Sequence, residues 1–166
     1  MQSKYKRVSY WFPLVKSLTK WLNEYTIDEV DEDGKPIRLF ADVEDIYSGT
    51  KDKGRDFPCI EVLWESEVEI SNNLPTTGIV TLYIDVCVDC NEDEPDKAYE
   101  AIDDLQCRIL SILREWAPAA RNETGVAPNV TIEGIVSDGD IYRPAATSRI
   151  VLTIEWRKVN GLQVMF

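Results

Sequence analysis

Apolar residues recur every third or fourth position in two stretches of this chain and every second position in three others. Val8, Trp11, Val15, Leu18, Leu22 and Tyr25 follow the first spacing, and Leu14 and Trp21 widen the stripe. That period predicts an amphipathic helix over about residues 9–25. Pro13 fits only a first turn, so the helix is expected to start near Ser9 or later. Ile27 to Lys35 is acidic and ends in the turn pair Asp33-Gly34; a short strand is expected over Ile37 to Ala41. Residues 42–56, polar and carrying Gly49 and Gly54, read as an exposed loop.

The middle of the chain alternates. Ile60, Val62, Trp64, Val68 and Ile70 share one parity, and Glu61, Glu65, Glu67 and Glu69 share the other. This predicts one long strand with a break near Ser66. Leu82, Ile84, Val86 and Val88 alternate with Tyr83, Asp85, Cys87 and Asp89. The two runs, about 58–71 and 78–90, make a long antiparallel hairpin around the loop 72–78. A second helix is expected over about 95–116, with Asp93 or Glu94 as cap and Pro95 in the first turn. Ala98, Ile102, Leu105, Ile109, Ile112 and Trp116 are its buried stripe, Asp96, Glu100, Asp103, Asp104 and Arg108 its outer face, and Ala117-Pro118 its end. A loop over 118–128 precedes strands over about 129–137 and 147–158. The order predicts a single α+β domain, mainly antiparallel, with the helices packed on one face of the sheet.

The net charge is −12, from 30 acidic against 18 basic residues. Such a chain repels phosphate backbones and anionic lipid heads, so neither nucleic acid nor membrane is an expected partner. Lys4, Lys6 and Arg7 before Val8 to Val15 imitate a signal peptide, but Pro13, Lys16, Lys20 and the lack of a small-residue cleavage site speak against one.

Histidine is absent, which removes histidine-based acyl-transfer catalysis and the commonest metal ligand. Gly49 to Asp56 approaches a phosphate-binding loop, but Arg55 and Asp56 stand where lysine and a hydroxyl are needed, and a strand follows instead of a helix. Glu29 to Phe40 approaches a calcium loop, but Phe40 replaces the bidentate glutamate. Cys87-Val-Asp-Cys90 has metal or redox spacing, yet residues three apart on a strand point to opposite faces, so the pair reads as two unrelated thiols, one buried. The glutamate row reads as a solvated sheet face, or as an acidic surface for a basic partner. The five tryptophans lie in phase with apolar stripes and read as core. No catalytic residue, cofactor or metal is expected.

The hairpin strand Leu82-Tyr-Ile-Asp-Val-Cys-Val88, the helix from Ala98 through Leu105 and Ile109 to Trp116, and the close from Gly134 to Asp140 and Ser148 to Trp156 resemble tail terminator or tail-completion proteins of long-tailed phages. The resemblance spans about residues 57–158 and rests on element order and apolar pattern. It implies a virion component, made in the bacterial cytoplasm, that caps the tail tube as a hexameric ring and offers a surface to the head connector. It implies no enzyme. Other neck, baseplate or secretion-apparatus components share the pattern, and a small-molecule-binding α+β domain is the remaining alternative. The expected contact residues lie in the two polar loops and beside them: Gly49, Lys51, Lys53, Arg55, Glu65, Glu67, Asn72, Asn73 and Leu74.

Overall fold

The computed structural model describes residues 11–51, 54–65, 68–70, 76–89, 94–137 and 145–159. Helix α1 (Phe12–Glu24) is followed by strands β1 (Thr26–Val30), β2 (Pro36–Arg38), β3 (Asp45–Ser48), β4 (Cys59–Trp64), β5 (Glu69–Ile70) and β6 (Thr77–Asp89). Helix α2 (Pro95–Thr124) then leads to β7 (Val126–Ser137) and β8 (Ala145–Lys158). The class is α+β, with strands dominating and mostly antiparallel pairing.

The main sheet has the order β3-β4-β6-β8-β7, and β5 continues beside β6 past the end of β4. The expected hairpin is present: Cys59 faces Cys87, Ile60 faces Val86 and Trp64 faces Leu82. The long β6 in turn pairs along its whole length with β8. One face of these rungs carries Ile60, Val62, Val80, Leu82, Ile84, Ile150, Leu152 and Ile154, all essentially sealed from solvent. Leu14, Val15, Leu18 and Leu22 of α1 and Ile102, Leu105, Ile109, Ile112 and Trp116 of α2 join them in one core. Each fully buried aliphatic side chain contributes roughly 1.5–3 kcal/mol over its exposed state. The indole of Trp116 donates to Ser17 Oγ at 3.2 Å, and that hydroxyl donates to Glu123 Oε2 at 3.1 Å, so a polar link crosses the α1–α2 seam.

Several expectations are corrected. The segment 42–56 is not all loop: Asp45–Ser48 forms β3, which pairs in parallel with β4. The strand expected over Ile37 to Ala41 is Pro36–Arg38, and it pairs with the unexpected β1. Asp31 Oδ1 accepts the backbone N–H groups of Asp33 at 2.9 Å and Lys35 at 2.8 Å, which closes that turn over Gly34 at φ 77°. Helix α2 does not stop at Ala117-Pro118 but runs through Pro118 to Thr124. Trp116 and Ala120, both fully buried, anchor it on either side of the proline. The residues 118–128 are therefore helix, a left-handed Gly125 and the start of β7. Pro128 sits in β7, where an edge strand tolerates a missing N–H. The N-cap of α2 falls on Glu94, whose side chain makes no capping bond and pairs with Lys97 at 2.8 Å. Asp93 and Ser66 lie outside the described residues.

Candidate functional site

The face of the sheet turned away from the helices carries most of the chemistry. Strand alternation puts Tyr47 of β3, Glu61 of β4, Asp85 of β6 and Arg149 of β8 in one row, because each is the register partner of the next. The adjacent row holds Asp45, Cys59, Cys87 and Thr147. Glu61 is only 2% exposed, so it departs from the solvated face its pattern suggests, whereas Glu65 is exposed as expected. Tyr47 donates its phenol to Glu61 Oε1, and Arg55 Nε lies 2.9 Å from the same oxygen. A buried carboxylate needs such partners, since an unpaired one costs several kcal/mol or neutralises.

Beside this carboxylate, Cys59 and Cys87 are free, buried thiols. The sulfurs and a Glu61 oxygen all lie within 4.8 Å of one another, and Tyr47 Oη stands 4.0 Å from Cys59 Sγ. The hydrogen bond between the two thiols pulls Cys59 below its ordinary range, with Tyr47 adding to it, and raises Cys87, which burial pushes further up. Burial and the bond to Glu61 raise Tyr47. Burial disfavours the Arg55 charge, but Glu61, Cys87, Tyr47 and Cys59 together outweigh it and the guanidinium is held above its usual value.

The candidate contact residues divide accordingly. Lys51 is tied down, bonded to Asp45 and lying 4.2 Å from the centre of the Tyr47 ring. Arg55 covers Glu61. Gly49 closes β3 at φ 89°, its N–H donating to the Val62 carbonyl at 2.9 Å. Glu65 accepts the Tyr83 phenol. Gly49 and Glu65 meet at an open cleft of about 440 Å³, also lined by Trp64, Tyr83 and Arg149. Lys53, Glu67, Asn72, Asn73 and Leu74 lie outside the described residues.

Sequence reasoning missed the far edge. Strand β7 ends the main sheet, and Ile132, Ile135 and Val136 on it are 46%, 44% and 59% exposed. Their register partners on β8 include Leu152 and Ile150, which are fully buried. The core therefore reaches Val126 and Val130 at the start of β7 and gives out along the rest of that strand. The signal was present in the sequence as the adjacent pair Ile135-Val136, which breaks the two-residue alternation near the end of the strand.

No family model and no curated protein matches the chain. Among the described residues, no helix is long and apolar enough to cross a membrane. The fold and these surfaces define an α+β protein with one helix-covered sheet face and one that carries the Cys59, Glu61, Cys87 and Tyr47 cluster.

Proposed function

We propose that the protein is a structural, non-enzymatic component of a phage tail, of the tail-terminator or tail-completion kind. In this reading it acts in the virion by self-association into a ring and by contact with tail-tube and head-connector proteins. The observation that carries the reading is the apolar edge of β7. An edge strand offers unpaired backbone groups, and natural monomers usually shield such an edge with charge, proline or a covering element. Here three large apolar side chains cluster within five residues of it. That combination suits a heterologous contact between copies, in which strand pairing supplies direction and the apolar side chains supply affinity.

The charge sets the conditions. At −12, copies repel each other at low salt, and screening at higher ionic strength favours association. Light scattering over a wide concentration range, at low and moderate salt, tests the reading. A closed oligomer that grows in with salt supports it. A chain that stays monomeric throughout, and that does not bind isolated tail tubes, overturns it.

A further inference from the structure

We propose that Cys59, Glu61 and Cys87 form a binding site for a thiolate-selective divalent cation, with Zn2+ as its natural occupant. The inference is independent of what β7 binds.

The site is built by the sheet itself. Cys59 and Cys87 are register partners on β4 and β6, so their side chains leave the same face of one rung. Glu61 is the next residue of β4 on that face. All three are buried, and their ligand atoms lie within 4.8 Å of one another. In a tetrahedral zinc site with Zn–S of about 2.3 Å, two sulfurs stand about 3.8 Å apart, so a small rotation of the thiols closes the set. Ligands mounted on paired strands need little ordering when the ion arrives.

The surroundings fit a cation with two thiolates. On binding, both thiol protons leave to solvent and two metal–sulfur bonds form. The dication and Arg55 together then balance two thiolates and one carboxylate, so the buried cluster carries no net charge. The Tyr47 and Arg55 contacts both fall on Glu61 Oε1, and the metal takes Oε2. Tyr47 is thus a positioning residue: it orients the carboxylate that binds the ion. Soft thiolate donors favour Zn2+ over Mg2+ or Ca2+, whose ligands are oxygens. Three protein ligands leave the fourth position to water.

The test is titration of reduced, chelator-treated full-length protein with Co2+, followed by displacement with Zn2+. The expected result is one ion per chain, with a sulfur-to-cobalt charge-transfer band and the strong visible bands of a tetrahedral site. Cys59→Ser and Cys87→Ser should each weaken binding and cut the charge-transfer band per bound ion to about half, since one of the two metal–sulfur bonds is lost. Tyr47→Phe, which keeps all three ligands, should weaken binding about 10- to 100-fold. Cys107→Ser, at an exposed thiol, should change nothing. If a cysteine variant fails to fold, Glu61→Gln and Tyr47→Phe carry the test through affinity alone. No charge-transfer band in the wild-type protein overturns the proposal. So does a band that keeps its full intensity in Cys59→Ser but falls in Cys90→Ser, because the ligands would then be the Cys87-Val-Asp-Cys90 pair.

Discussion

Arg108 grips Asp42 with both arms of its guanidinium, Nη1 to Oδ1 at 2.7 Å and Nη2 to Oδ2 at 2.9 Å. The same group donates to the Leu39 carbonyl at 3.0 Å and to Asp104 at 2.6 Å, and its centre lies 5.6 Å from that of the Phe40 ring. Phe40 is fully buried. A residue that helical periodicity places on the outer face of α2 is therefore the clamp that holds the segment between β2 and β3 against the helix. The forked geometry is one that lysine cannot reproduce.

This clamp predicts a pH dependence. The hydrogen bonds from Arg108 hold the Asp42 carboxyl below its ordinary range. A carboxyl depressed in the folded state adds stability above its unfolded value, and that stability is lost as pH falls through the folded value. Asp42→Asn should therefore cost stability at neutral pH and little in acid, where the wild-type group is itself protonated. The Asp42 side chain is 62% exposed, so the neutral-pH loss should be about 1 kcal/mol or less. Urea midpoints at neutral pH and at successively lower pH check this, with the gap between variant and wild type closing as pH falls. A loss that stays equal throughout would mean that the carboxylate charge is not what matters.

Trp116 is the largest fully buried side chain and joins the two helices through Ser17. Trp116→Ala should cost about 3–5 kcal/mol through lost contacts and the cavity left behind. Trp116→Phe should cost less, because it keeps an aromatic ring in the core. Denaturant unfolding of both variants tests the order. A Phe variant as unstable as the Ala variant would place the cost in the Ser17 bond rather than in packing.

Gly125 ends α2 in the left-handed region, at φ 71°, with its N–H bonded to the Arg121 carbonyl at 3.0 Å. Its own carbonyl accepts the N–H of Val159 at 2.8 Å, so one residue reverses the chain and ties it to the end of β8. Gly125→Ala should cost about 1–2 kcal/mol from backbone strain. The loss should appear in the unfolding midpoint with no change in the denaturant slope.

These particulars show where the sequence was legible. The hairpin, α1 and the β8 alternation follow from side-chain period, because one face of each element meets the core and the other does not. Helix α2 was cut short because Pro118 is a strong local stop signal, and tertiary burial of Trp116 and Ala120 overrides it. Strand β3 was hidden because its partner is parallel and joined through a polar, glycine-bearing connection, which leaves no hairpin pattern. The candidate site was hidden by pairing cysteines along the chain. Along the chain Cys87 stands near Cys90, which lies outside the described residues, whereas strand register sets it opposite Cys59. Register is a property of two strands together, and composition along either one does not reveal it.

The proposed assembly role makes its own demand on β7. Ile132 and Val136 are exposed, so Ile132→Lys and Val136→Lys should leave stability within about 0.5 kcal/mol of wild type. If β7 is the contact between copies, each should shift the protein to monomer, because a buried lysine without a partner is costly in an apolar interface. Val30→Lys is the control. Val30 is more exposed still, at 63%, but lies on β1, in a separate two-stranded sheet. Solution mass at matched concentration and salt separates the outcomes. Dissociation by both β7 variants and not by Val30→Lys assigns the contact to the sheet edge. Dissociation by all three would trace it to general loss of apolar surface, and dissociation by none would remove β7 from the assembly.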